Sequence, residues 1–217
     1  DIERYQRKMT LGIIQPSEFY TLHQSYEIID QLVNLSLDLN LETLLPLIKD
    51  VKKHLTSYMT VYTSSLDLSV LPKFNLNNIT QNLFQSHVDQ QLHQLDQDIN
   101  ACQHFFQTLS SALSTLIGKE QSVTCEFKDK FGHYLETTTA RYQVLKHNLI
   151  NTNVSNVNID AYTLQLQDLT EISSQSHKQR FTCLLLNQKS EIFQQSQQQL
   201  NLKCSSSFQT YMKELAQ

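Results

Sequence analysis

The sequence predicts a mainly α fold. A helical bundle core sends out two long antiparallel helices that carry a small antiparallel β unit at their tip. Three observations carry this prediction. The 217 residues include only 3 Gly, 3 Pro and no Trp. So few chain breakers favour long helices over a sandwich, a barrel or a Gly-rich nucleotide fold. From Val88 to Leu116 apolar residues recur at alternating steps of four and three, a heptad seam that needs a partner helix. Beyond Gly118 the helical pattern gives way to β-branched and aromatic residues, and it returns later.

Taken in order, Asp1 to Leu11 reads as a short helix with Gly12 as its C-cap. After Gln15-Pro16 a second helix starts at Ser17-Glu18, with Leu22, Tyr26, Ile29 and Val33 on one face. A third follows Asn40, its candidate cap, with Pro46 in the first turn. Its face is Leu44, Leu47, Val51, Leu55, Tyr58 and Tyr62. Residues 64–78, with Pro72, read as a loop. The seam comes next: Val88, Leu92, Leu95, Ile99, Cys102, Phe106, Leu109, Leu113 and Leu116.

Val123 to Phe127 and Tyr134 to Thr138 then read as a β-hairpin about a turn at Lys128-Asp129-Lys130-Phe131-Gly132. The Asn-rich stretch 148–158 reads as a loop. Tyr162 to Leu166 alternates like a strand, and Leu169 to Ser173 continues the sheet. Helix returns after Ser174, with a looser stripe of Phe181, Leu185, Ile192, Leu200, Cys204, Phe208, Tyr211 and Leu215. The Gln-rich run 194–199 fits a solvated helix face. Phe106 and Phe208 are expected to share one two-helix body, because each long helix has a stripe too narrow to be stable alone.

Composition excludes several function classes. Lys and Arg number 17 against 21 Asp and Glu, a formal charge of −4, which argues against a classical basic nucleic-acid domain. None of Gly12, Gly118 and Gly132 is followed by Gly-Lys-Ser/Thr at phosphate-loop spacing, so the stretch is expected not to be an enzyme and to hold no cofactor. Cys102, Cys125, Cys183 and Cys204 form no C-x-x-C pair and read as reduced thiols of an intracellular protein. The compartment stays open between nucleus, cytoplasm, organelle and viral factory. No apolar run is long enough for a membrane span, and no signal peptide is evident. His87, Asp89, His93 and Asp96 lack metal-ligand spacing on a helix, so no metal is expected. The chain opens in one helical pattern and stops in another, like an excerpt of a longer polypeptide.

Three blocks carry a family resemblance. The first is Asp1-Ile2-Glu3-Arg4 with Leu11-Gly12 and Pro16-Ser17-Glu18-Phe19. The second is Phe131-Gly132-His133-Tyr134-Leu135-Glu136, and the third is Arg180-Phe181-Thr182. In order and spacing they resemble the lever and clamp region of the MutS family of DNA mismatch repair proteins. The departures mark a divergent member. His87 to His93 stands where the family has Gly-Tyr-Asp-x-x-Leu-Asp. Cys183-Leu184-Leu185 replaces Pro-Glu-Leu, Thr124 replaces a common Lys, and 148–158 resembles an insertion.

The resemblance implies a domain plan: a helical core at the lever base over 1–77, an outgoing lever helix over 78–118, a β-rich clamp over 119–180 and a truncated returning lever helix over 181–217. It also implies that the clamp holds duplex DNA by sequence-independent backbone contacts, while the levers couple it to an ATPase outside this stretch. ATP, Mg and a second MutS-type subunit belong to that larger protein. The expected DNA-contacting residues are Lys128 and Lys130 in the hairpin turn, and Ser176, His177 and Lys178 at the start of the returning helix. There, free N–H groups would favour a phosphate. Arg180 is a further candidate, with a bridge between clamp and lever as its other reading. The alternative function is a helical stalk whose sheet docks a protein partner and plays no DNA role.

Overall fold

The structure, a computed structural model, describes residues 1–39, 47–151, 156–159, 162–165, 169–175 and 177–217. It is mainly helical, with a four-stranded antiparallel sheet packed against helices. The chain divides into two compact units, one made of 1–96 with 197–217 and the other of 97–196.

The first unit begins with α1 (Ile2–Leu11), α2 (Pro16–Asp38) and α3 (Ile48–Ser65). Gly12 closes α1 at φ 69°, donating its N–H to Met9 O at 2.8 Å, as the sequence predicts. Pro16 starts α2 where its missing N–H costs nothing, and Glu18 accepts the Gln15 N–H at 3.1 Å. The predicted α2 face is turned inward, with Leu22, Tyr26 and Val33 buried. On α3 the predicted face fails at its start. Leu47 and Val51 are exposed, and burial is complete only at Tyr62. Asn40, Leu44 and Pro46 lie outside the described residues.

Residues 64–78 are more ordered than a plain loop. Leu66 bridges Phe84, and Leu71–Lys73 form a 3-10 turn around Pro72. The core of this unit brings Phe19 within 5.2 Å of Tyr62 and 6.3 Å of Phe208, ring centre to ring centre. Phe208, Leu200, Cys204 and Met212 come from the end of α6 (Leu184–Leu215) and are fully buried.

The second unit holds most of α4 (Gln90–Ile117), the start of α6, and everything between them. The predicted seam is buried from Leu92 to Leu113. Val88 precedes the helix and is exposed. Asp89 caps α4, accepting the N–H groups of Gln91 and Leu92 at 2.9 and 3.0 Å. Phe106 does not share a body with Phe208: it lies in the second unit and meets Phe193 at 5.9 Å. In an antiparallel pair, positions far along one helix face positions early in the other, so Phe106 and Phe208 were the wrong pair to expect.

The predicted hairpin is present as β1 (Thr124–Lys128) and β2 (Gly132–Thr138), in register Thr124↔Glu136. The sequence does not announce α5 (Thr139–Asn151), which buries Tyr142 and Leu145 against Phe181. Part of the predicted 148–158 loop is therefore helix. Asn148 donates to Leu116 O at 2.7 Å, satisfying a carbonyl near the end of α4. Another part is strand: β3 (Asn156–Ile159) pairs with β4 (Tyr162–Gln165). The main sheet is completed by β5 (Leu169–Gln175) and β6 (Lys178–Cys183), in the order β1-β2-β6-β5. The returning helix starts only at Leu184, not after Ser174. Burial alternates over residues 178–181, with Gln179 and Phe181 inside, and Thr182 and Cys183 are both buried where the strand ends; the alternating part belongs to a strand.

Candidate nucleic-acid interface

Strand alternation divides the sheet of the second unit into two faces. Leu135, Phe181 and Cys183 join Phe105, Phe106, Leu109 and Tyr142 in one buried cluster, so the odd-numbered residues of β2 and β6 face the helices. The even-numbered residues form the outer face. Its centre is Tyr134, only 2% exposed. The Lys128 ammonium lies 5.9 Å from that ring and the Arg180 guanidinium 5.7 Å, within cation–π reach. Register explains the meeting. Glu126 pairs with Tyr134, and Glu136 pairs with Arg180, so three consecutive strands deliver these side chains to one place.

Glu136 organises the cations. It accepts from Lys178 Nζ at 2.5 Å and from Arg180 Nε at 2.9 Å. The hydrogen bonds from Lys178 and Arg180 hold its carboxyl below the usual carboxylate range, against the opposing effect of burial. Lys130 lies in the turn, with its ammonium 5.4 Å from the Phe131 ring, and that ring meets Tyr134 at 6.3 Å. Lys128, Asp129 and Lys130 are all exposed.

The candidate residues therefore separate. Lys128, Lys178 and Arg180 are gathered on the outer face, and Lys130 stands at its hairpin end. His177 is exposed in the turn before β6, where its carbonyl accepts the Thr139 N–H at 3.0 Å. Ser176 lies outside the described residues. The expected helix N-terminus under residues 176–178 is absent, because Lys178 begins β6. No free helical N–H groups are therefore offered to a phosphate at Lys178. Arg180 pairs with a glutamate on the neighbouring strand. Tyr134 and Glu136 were not among the predicted site residues. Alternation places the two on one face of β2, but the strands that lie beside that face are set by the fold.

The opposite face carries a second cluster. His133 stacks on Phe106 with ring centres 4.1 Å apart, and Phe193 meets it edge-on at 5.1 Å. Its backbone N–H donates to Ser190 Oγ at 2.9 Å, and Nδ1 lies 3.0 Å from the same oxygen. This fixes the hairpin on α6. Elsewhere Asp89 is engaged by Lys203 at 3.0 Å, and Asp96 accepts the Asn82 N–H at 3.1 Å. Among the described residues, no group of three or more His, Cys, Asp or Glu could hold a metal ion. No described helix is long and apolar enough to cross a membrane.

The fold and this face define a helical protein bearing a small sheet whose outer face gathers Lys128, Lys178 and Arg180 together with Glu126 and Glu136 around Tyr134. The chain is distantly similar to the "Putative DNA mismatch repair protein mutS homolog" of Acanthamoeba polyphaga mimivirus. The two are 21% identical over 158 residues, which is 69% of this chain and 14% of that protein. No protein-family model matches the chain.

Proposed function

We propose that this chain is the clamp and lever region of a divergent MutS-type protein, and that its second unit holds duplex DNA through backbone contacts without reading sequence. The observation that carries this reading is one sheet face on which Lys128 lies beside the Tyr134 ring with Lys130 exposed at its hairpin end, while register brings Lys178 and Arg180, held by Glu136, alongside. Donors and positive charge suffice for such a role, because phosphate contacts position a duplex and base contacts specify it. The distant likeness to a mismatch repair homologue supports the same partner. A lever role is supported by where the chain passes between its units: both crossings, at 96/97 and 196/197, fall inside helices.

On this reading the chain is not itself an enzyme. That reading is supported by the sequence, in which none of Gly12, Gly118 and Gly132 is followed by Gly-Lys-Ser/Thr at phosphate-loop spacing. ATP, Mg and a second MutS-type subunit are assigned to the larger assembly. The test is duplex binding against salt concentration. Replacing both Lys128 and Lys130 by Glu is expected to weaken binding and flatten the salt slope by about 2, one per lost phosphate contact. Unchanged affinity in the folded double variant would favour the second reading, a protein-docking sheet. That reading draws on Glu136, which already occupies two of the cations.

A further inference from the structure

The cations of the outer face are not equivalent. Glu136 accepts from Lys178 at 2.5 Å and from Arg180 at 2.9 Å, and its own side chain is only 12% exposed. Arg180 is nearly as enclosed, at 14%, and also lies against the Tyr134 ring. Lys178 is different: 62% of its side chain is exposed, yet its ammonium turns back to the carboxylate. Among the described residues, the ammonium groups of Lys128 and Lys130 approach aromatic rings, 5.9 and 5.4 Å away, and pair with no carboxylate. A carboxylate and a phosphate compete for the same ammonium donors. A carboxylate this enclosed loses much if its partners leave, because a poorly solvated charge is then left uncompensated.

We infer that Glu136 is a positioning residue that sets the strength of duplex binding. It withholds Lys178 and Arg180 from phosphates and leaves the contact to Lys128 and Lys130. The inference rests on the DNA reading of this face. It deepens that reading by saying which cations a phosphate meets and which are reserved. A duplex gains Lys178 only by displacing a carboxylate, so few counterions are released and binding stays weak, as suits a clamp that must also let go.

The experiment measures affinity for a duplex oligonucleotide over a salt series, with thermal melting to establish that each variant is folded. Glu136→Gln is expected to tighten binding and steepen the salt slope by about 0.9, the value of one added phosphate contact. Adding Lys178→Gln to that variant is expected to erase the gain. In the otherwise unaltered protein, Lys178→Gln is expected to weaken binding far less than Lys128→Gln. That last comparison decides the matter even if Glu136→Gln does not fold. A folded Glu136→Gln protein with unchanged or weaker binding would overturn the inference. So would a Lys178→Gln loss as large as that of Lys128→Gln, with the DNA reading left standing. If neither Lys128→Gln nor Lys130→Gln weakens binding, the DNA reading itself falls and the inference goes with it.

Discussion

His133 shows how much one side chain can contribute to this fold. Burial holds its imidazole below the ordinary value of 6.5, and burial does the same to His23, partly opposed by Glu27. Both groups bind a proton more readily in the unfolded chain, so stability from this source rises with pH. It is whole above about pH 6.5, declines as pH falls below that, and is gone beneath the folded-state values. Glu136 and Glu171 act lower. Hydrogen bonds from Lys178 and from Lys146, respectively, hold their carboxyls down, so this stability is present above about pH 4.5 and lost as pH falls through the folded values. Calorimetry over a pH series is expected to show a first decline near pH 6 and a steeper one in acid, and His133→Phe should shrink the first. Gly132 makes a second residue-scale prediction. It sits at φ 69°, and an added Cβ would lie 2.8 Å from Ser190 Oγ. Gly132→Ala is expected to cost about 1–2 kcal/mol by denaturant unfolding, from strain and the clash together.

The long helices show where pattern reading succeeds and where it slips. On α4 the alternating steps pick out Leu92 to Leu113 because one narrow stripe is buried, and both helix and stripe keep one period. Leu109→Ala is expected to cost about 2–5 kcal/mol, and Val88→Ala, outside the helix and exposed, under about 0.5 kcal/mol. On α6 the stripe was misplaced near its start. Leu185 packs partly buried against the core, as the stripe predicts, but Ile192 is exposed; the fully buried positions are Leu186 and Ser190, with Phe193 partly buried beside them. A polar residue at an inner position breaks the apolar rhythm, and Ser190 is there because it binds the β2 backbone. Leu186→Ala should therefore destabilise by about 2–5 kcal/mol and Ile192→Ala by less than about 1 kcal/mol. The start of α6 also lies later than its sequence pattern predicts. Residues 178–183 form a strand only because β2 and β5 flank them on either side.

At the scale of the molecule, charge is distributed without a strongly basic region. Residues 119–180 contain 7 Lys and Arg and 7 Asp and Glu, so the formal charge of −4 falls on the rest of the chain. A neutral region can still bind a polyanion if register gathers its cations, but it does so feebly. On the proposed DNA reading, with Lys128 and Lys130 as the contacts, the slope of log affinity against log salt is expected to be about −2. Fluorescence anisotropy over a salt series measures it, and a slope as steep as that of a strongly basic DNA-binding domain would contradict the charge ledger of this face.

The sequence by itself determined the mainly helical class, the α4 seam, the Gly12 cap, the β1–β2 hairpin and the family likeness. Each of these is local or periodic, set by neighbours within a turn or a strand pair. Only the tertiary structure decided that Tyr134 and Glu136 stand at the centre of the outer face. It also decided that residues before Leu184 are strand and that two of the predicted cations are bound to a carboxylate. Glu136 and Arg180 are 44 positions apart, and nothing in a linear pattern specifies which distant strand will lie beside which.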